Sequence, residues 1–204
     1  MTPSKRLMDV TVATILGLLA LPVLAVLLIL MAVMQGRPLF YLSERMKEVD
    51  QPFTLIKLRS MRISHAGRDS GVSGGDKRDR ITPIGRFLRS TRLDEIPQLW
   101  NVLRGDMSLV GPRPPLRAYV EARPELYAEV LQCRPGITGL ATLVFHRHEE
   151  WLLSSCHTPQ QTHEVYLRRC VPAKARLDLI YRDNRNLCLD LWLLGRTIGR
   201  LLSR

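Results

Sequence analysis

The chain has 204 residues, 46% of them hydrophobic and 24% charged, a length that suits one domain or a domain of about 150 residues with an anchor. Thirty Lys+Arg against nineteen Asp+Glu give a formal net charge of +11, so a polyanionic surface or substrate is expected: nucleic acid, anionic lipid headgroups or phosphorylated metabolites. The four cysteines, Cys133, Cys156, Cys170 and Cys188, are irregularly spaced with no CxxC pair, which argues against zinc or thioredoxin-like chemistry and for reduced thiols facing a cytosol.

From Val10 to Met34 there is no charge, and Thr11 and Thr14 are the only polar side chains. The run is long enough to span a bilayer core, too long for a typical signal core, and followed by no clear small-x-small cleavage site. Lys5 and Arg6 precede it, and Arg37, Arg45, Lys47, Lys57, Arg59 and Arg62 follow it, so both flanks carry the basic residues that mark a cytoplasmic side. Pro22, near the middle, removes a backbone hydrogen bond and predicts a kink. A helix that bends there and returns to the same face satisfies both observations; a kinked ordinary transmembrane helix is the alternative.

After the Gly36-Arg37-Pro38 break, Leu39–Leu42 and Phe53–Met61 read as strands. Residues 64 to 80 hold four glycines and little that could enter a core, which predicts a loop, either plain or acting as a lid. Ile84 to Arg92 reads as a short amphipathic helix with Arg86, Arg89 and Arg92 at three-residue spacing. A second helix is expected from Pro97 to Leu103, closed by Gly105-Asp106.

Between the two helices lies Arg92-Leu93-Asp94-Glu95-Ile96-Pro97-Gln98-Leu99-Trp100-Asn101, with adjacent carboxylates in an apolar segment. The simplest account is helix capping, since Thr91 and Asp94 have capping-box spacing. A site beside an arginine-lined face is the other account. Downstream, Gly111-Pro112-Arg113-Pro114-Pro115 restricts the backbone around Arg113, which lowers the entropic cost of presenting its guanidinium to a phosphate.

Glu121 to Gln132 has a helical composition, and Arg134–Gly139 forms a turn with two glycines. The polar cluster His146–Glu150 either touches a substrate or is an exposed helix start; no metal-ligand spacing such as HExxH is present. The terminal stretch Leu187–Arg204 sets Leu191, Leu194, Ile198, Leu201 and Leu202 against Arg196, Arg200 and Arg204, as in a helix lying among headgroups or one packed on the protein core.

Residues 82 to 114, TPIGRFLRSTRLDEIPQLWNVLRGDMSLVGPRP, closely resemble the signature of the bacterial sugar transferases known as monotopic phosphoglycosyl transferases. The likeness extends to Lys5-Arg6 with Asp9, Pro22, Phe53-x-x-x-Lys57-x-Arg59-Ser60-Met61, Arg134–Gly139 and Leu189-Asp190-Leu191, and the length matches the small single-domain form. The resemblance implies transfer of a sugar-1-phosphate from a UDP-sugar to polyprenyl (undecaprenyl) phosphate, with release of UMP and a need for Mg²⁺, as the first membrane step of a bacterial glycan pathway. It makes Asp94 the nucleophile that becomes a phosphosugar-aspartate, Glu95 its acidic partner in magnesium or proton handling, and Arg113 a phosphate clamp, with Lys57, Arg59 and Arg86 as further phosphate-binding candidates. The magnesium ligands it implies are Asp94 and Glu95.

The expected fold is therefore α+β and mostly helical: a re-entrant membrane helix over residues 1–36, kinked at Pro22, and a cytosolic catalytic domain over residues 37–204 with amphipathic interfacial helices. The expected place is the cytosolic face of the bacterial inner membrane, among membrane lipids; the sequence permits a homodimer without demonstrating one. No nucleic-acid motif is visible. The competing function is a membrane-tethered basic binding or scaffold protein without catalysis. Leu21 stands before Pro22 where Ser is common in the family, which removes a polar contribution to the bend, and two further departures leave the sugar unspecified: Gly139–Arg147 replaces a GWAQVNGR-like stretch, and Arg45-Met46-Lys47 replaces Arg-x-Gly.

Overall fold

A computed structural model of the chain describes residues 1–63, 72 and 74–202, without the side chains of residues 201 and 202. It is mostly helical with four short strands among the described residues. Helix α1 runs from Pro3 to Gln35. The Thr2 side chain accepts the Lys5 amide at its start, Pro3 occupies the first turn, and Gly36, at φ +65°, ends it. The helix assignment continues through Pro22, so the expected kink is not accompanied by a break in the helix. At 33 residues its contour is about 50 Å, more than the roughly 30 Å of a bilayer core. Among the described residues it is the one helix long and apolar enough to cross a membrane.

Both ends of α1 are fastened to the rest of the protein. Near the N-terminus, Arg6 donates from its guanidinium to the carbonyls of Val102 (2.6 Å) and Leu103 (2.8 Å), which satisfies acceptors left over at a helix end. Asp9, with no exposed surface, pairs with Lys5 at 2.8 Å and accepts from the Ser108 hydroxyl at 2.7 Å, and Lys5 also reaches Asp190 at 3.1 Å. At the other end, Arg59 donates to the carbonyls of Gln35 and Gly36, each at 2.7 Å, while the Gln35 amide donates to the Arg59 carbonyl at 2.9 Å. Between these fastenings Leu18, Leu19, Leu21, Val26 and Ile29 are exposed.

Strands β1 (Phe40–Met46) and β2 (Pro52–Leu58) form an antiparallel hairpin, with Phe40 opposite Leu58 and Met46 opposite Pro52. Both differ from the sequence expectation. The first extends four residues past Leu42, because Glu44 and Arg45 pair through their backbones whatever their side chains, and the second stops at Leu58, leaving Met61 as an isolated bridge to Ile81. Residues 64–71 and 73 of the expected loop lie outside the described residues, and Gly75–Arg80 is a 3₁₀ helix.

Helices α2 (Pro83–Thr91) and α3 (Gln98–Arg104) flank a 3₁₀ turn, Leu93–Glu95. Strand β3 (Ser108–Val110) pairs in parallel with β4 (Gly136–Thr138). A Cβ on Gly111 would lie 2.2 Å from the Arg134 carbonyl oxygen, and one on Gly136 2.2 Å from the Gly111 amide nitrogen, so these two glycines let the segments cross. The helix expected from Glu121 to Gln132 is instead two, α4 (Arg117–Ala122) and α5 (Pro124–Val130). Pro124 cannot continue the first but suits the start of the second.

Four further α-helices follow: α6 (Leu140–Ser154), α7 (Pro159–Val165), which passes through a π-helical turn (Tyr166–Cys170) into α8 (Val171–Asn184), and α9 (Leu187–Leu202). The two readings of the last helix both hold in part. Leu193 is fully buried against Val110 and Tyr181 in the core beneath β3, whereas Leu191, Trp192 and Ile198 are exposed. All four cysteines are free, three of them buried.

Removing Asp9 leaves Lys5 and Ser108 without a principal partner in a buried setting. Asp9→Ala is expected to lower stability by about 3 kcal/mol, measured by thermal unfolding in detergent micelles.

Candidate active site

The turn that carries Asp94 and Glu95 begins with an unusual backbone. Arg92 is the only non-glycine residue with positive φ among the described residues, at φ +61°. The left-handed residue stops α2 and swings the chain inward, so the next two side chains point into the protein. Both carboxylates are 7% exposed. The capping-box account is thereby corrected: the Thr91 hydroxyl donates back to the Phe87 carbonyl at 2.7 Å, and no side chain caps the Leu93–Glu95 turn.

The two neighbours live in different environments. Glu95 Oε1 accepts from Lys57 Nζ at 2.8 Å and Arg113 Nη2 at 3.0 Å, while Oε2 lies 3.5 Å from Arg92 Nη1. Burial by itself would raise its pKa, but Lys57, Arg113 and Arg92 together hold it far below the usual carboxylate range. Among the described residues Asp94 makes no hydrogen bond to these cations and feels them through space. Burial pushes its pKa up and the Glu95 charge adds to this, while Lys57, Arg89 and Arg113 pull the other way. One carboxylate is thus a fixed anion in a cage of cations, and the other is a buried carboxylate whose oxygens remain available.

The cations are themselves positioned. Lys57 lies on β2, where burial lowers its pKa and Glu95 opposes the shift. Asn101, fully buried on α3, accepts the Ile56 amide at 3.2 Å and donates to the Thr54 carbonyl at 2.8 Å, joining α3 to β2 beside Lys57. Arg113 follows β3, and Glu95 raises its pKa still further. Arg89 donates to the Ser60 hydroxyl at 2.9 Å.

An apolar cavity of about 290 Å³ opens beside Glu95. Leu16 and Ala20 of α1 form one wall, Leu143 and His146 of α6 another, and Arg92 and Arg200 stand at its edge. Burial, followed by the Arg92 charge, brings the His146 pKa down to about 4, so this imidazole is neutral near pH 7. The polar cluster around it lies within α6 rather than at a helix start. His146 faces Glu150 at 3.4 Å, Glu149 pairs with Lys174 at 2.9 Å, and His148 stacks on Trp151.

Of the residues singled out from the sequence, the structure brings together Asp94, Glu95, Lys57 and Arg113. Arg59 is placed elsewhere, with its guanidinium engaged by the end of α1, and Arg86 is exposed on α2. Pro22 lies outside the carboxylate cluster, in the exposed middle of α1. Sequence reasoning missed Arg89 and Arg92 as the arginines that act on the pair. The signal was present in the three-residue spacing, but only the turn at Arg92 decides which of the three faces inward. Among the described residues no cluster of three or more His, Cys, Asp or Glu side chains forms a metal site.

The whole chain, residues 1–204, matches the family described as bacterial sugar transferase. It is 43% identical over 141 residues to a UDP-glucose:undecaprenyl-phosphate glucose-1-phosphate transferase of Caulobacter vibrioides, covering 67% of this chain and 52% of that protein. An Escherichia coli (strain K12) protein of the same name is 36% identical over 143 residues, covering 68% of this chain and 30% of its own. An uncharacterised sugar transferase of Bacillus subtilis (strain 168) is 33% identical over 198 residues, or 97% of this chain and 87% of the relative. The chain thus spans about half the length of the first relative and less than a third of the second.

The two carboxylates should respond to neutralisation with opposite sign. The folded pKa of Asp94 is raised, so its ionised form costs stability at pH values above the unfolded pKa, and the cost fades as pH falls toward about 4. Asp94→Asn is therefore expected to raise the unfolding temperature at pH 7. Glu95→Gln leaves Lys57 without its charged partner and is expected to cost about 3 kcal/mol. Thermal unfolding of both variants at pH 7 and pH 4.5 checks the pair.

Proposed function

Since the chain belongs to the bacterial sugar transferase family, we propose that it transfers a sugar-1-phosphate from a UDP-sugar to polyprenyl (undecaprenyl) phosphate through a covalent aspartyl intermediate on Asp94. The observation that carries this reading is the asymmetry of the carboxylate pair: Glu95 is held by three cations, while Asp94 is buried beside the same cations with its oxygens uncommitted.

A carboxylate is a weak nucleophile, and two like-charged neighbours favour retention of a proton. Lys57, Arg89 and Arg113 counter this by favouring ionised Asp94. An Asp94 oxygen attacks the sugar-bearing phosphorus, and the bond from that phosphorus to the bridging oxygen breaks, so UMP leaves with the bonding electrons. An oxygen of polyprenyl phosphate then attacks the same phosphorus and returns Asp94 as a carboxylate. Arg113, with Glu95 fixing its guanidinium, orients the phosphoryl oxygens, and Lys57 offsets their charge. Glu95 acts as the positioning anion for both.

Magnesium suits this donor set, because Mg²⁺ is commonly held by one or two carboxylates with substrate phosphates and water filling the remaining positions. Asp94 and Glu95 would hold it, and when bound it would neutralise charge on the diphosphate.

The acceptor is proposed to enter by the apolar cavity, which is walled by α1 and bordered by Arg92 and Arg200. Residues 1–36 serve as the membrane anchor and residues 37–204 as the catalytic domain. The fastening of both ends of α1 to this domain supports a re-entrant course for the anchor, bending near Pro22, and so a domain on the cytosolic face of the inner membrane. The exposed Leu191, Trp192 and Ile198 of α9 suit the headgroup region.

Intact-mass measurement after mixing the purified protein with a panel of UDP-sugars and Mg²⁺, without acceptor, tests the intermediate. One donor should add the mass of its phosphosugar to the native protein and none to Asp94→Asn. A native protein that releases UMP only when acceptor is present, with no adduct, would exclude the covalent route. Activity should fall at acidic pH as Asp94 protonates, above the range of an ordinary aspartate. Lys57→Met removes the largest charge lowering that pKa and should move the acid limb to higher pH, read from kcat/KM profiles.

A further inference from the structure

Among the described residues Arg45 on β1 has no ion-pair partner. Its Nε is sealed from solvent and has no hydrogen-bond partner. Other buried or half-buried cations near the site are engaged: Lys57 and Arg113 with Glu95, Lys174 with Glu149, and Arg59 with two backbone carbonyls. Glu44, its neighbour in the strand, lies on the opposite face and pairs with Arg117 at 2.8 Å. What surrounds Arg45 is a further positive charge, Arg113, together with the hydroxyl-bearing rings of Tyr41, Tyr119 and Tyr166. Burial first, and then repulsion from Arg113, depresses its pKa.

The backbone holds the two arginines near each other. The amide of Met46, next to Arg45, donates to the carbonyl of Pro115, two residues beyond Arg113, at 3.0 Å, and Met46 is buried in the same core as Tyr119 and Tyr166. Arg45, whose Nε has no partner, near Arg113, whose guanidinium Glu95 holds, offers donors for an anion with several oxygens. Resting on the function proposed above, we propose that Arg45 is a phosphate-binding residue of the donor subsite and grips, together with Arg113, the phosphate that departs with the nucleotide.

The departing phosphate fits better than the transferred one. The charges that act most on Asp94 are those of Lys57, Glu95, Arg89 and Arg113, and Arg45 is not among them. The two phosphates of a diphosphate share one bridging oxygen, which matches one arginine near Asp94 and a second beyond it. The phosphate of the lipid acceptor fits less well, because the apolar cavity is bordered by Arg92 and Glu95 and includes neither Arg45 nor Arg113.

Calorimetric titration of the full chain in detergent with UMP, uridine and polyprenyl phosphate tests this, using native protein, Arg45→Gln and Arg45→Lys. Arg45→Gln should weaken UMP at least tenfold and leave uridine and polyprenyl phosphate unchanged, and Arg45→Lys should recover part of the loss. Because the native Nε is buried without a partner, Arg45→Gln should unfold at or above the native temperature. Unchanged UMP affinity in Arg45→Gln would overturn the proposal, as would a loss confined to polyprenyl phosphate. A chain that fails to fold would make Arg45 a structural residue and overturn it too. Native protein that binds polyprenyl phosphate but no UMP would instead refute the donor reading, and the role of Arg45 with it.

Discussion

Glu95 holds the site together because three parts of the chain converge on one carboxylate. Lys57 comes from the β-hairpin, Arg113 from the proline-rich loop after β3, and Arg92 from the turn that precedes Glu95 itself. A buried ion pair is weak evidence for net stability, since desolvation offsets much of the attraction. Its value here is geometric. With one anion shared among several cations, each cation has a fixed position, and the excess positive charge acts on the neighbour, Asp94. The same arrangement leaves Asp94 short of hydrogen bonds, a condition that disfavours stability and favours reactivity.

The membrane-type helix is built into this arrangement rather than appended to it. Asp9 and Lys5 join its beginning to β3 and to Asp190 of α9, and the Tyr181 hydroxyl donates to Asp190 at 2.6 Å with the Val110 carbonyl as a second acceptor within reach at 3.2 Å. Val110 leads through Gly111 into the loop that presents Arg113. At the other end, Leu27 and Met31 pack with Leu58, Ile84 and Leu88, the elements that flank Lys57 and the Asp94 turn. A change in the position of α1 is thus felt on both sides of the carboxylate pair, and α1 also supplies a wall of the apolar cavity.

Much of the fold was legible in the sequence where a local rule decides it. The two strands, α2, α3 and α9 follow from patterning and turn residues, with errors confined to ends, whereas the pairing of the strands into a hairpin came from the structure. The miss at residues 121–132 came from giving composition more weight than Pro124, which begins a new helix. Within the site, Asp94, Glu95, Lys57 and Arg113 were named from the sequence and meet in space. Arg59 and Arg86 were named on the same chemical grounds and do not meet them: one guanidinium is engaged by the end of α1, and the other lies on the exposed side of α2. Residue type and spacing identify which arginines are near a motif, but the direction of a side chain depends on packing that spans the chain.

The sequence by itself determined the long apolar N-terminal segment, the basic balance, the mixed and mostly helical class, and the order of motifs that marks the family. Those properties are local or compositional, so they survive without knowledge of contacts. Tertiary structure alone decided that one carboxylate of an adjacent pair is caged and the other uncommitted, that Arg92 rather than Arg86 faces inward, and that Arg45 Nε is buried without a partner. The physical reason is common to all three. Charge interactions and desolvation depend on distances between residues far apart in the chain, and a left-handed turn of one residue redirects every side chain that follows it.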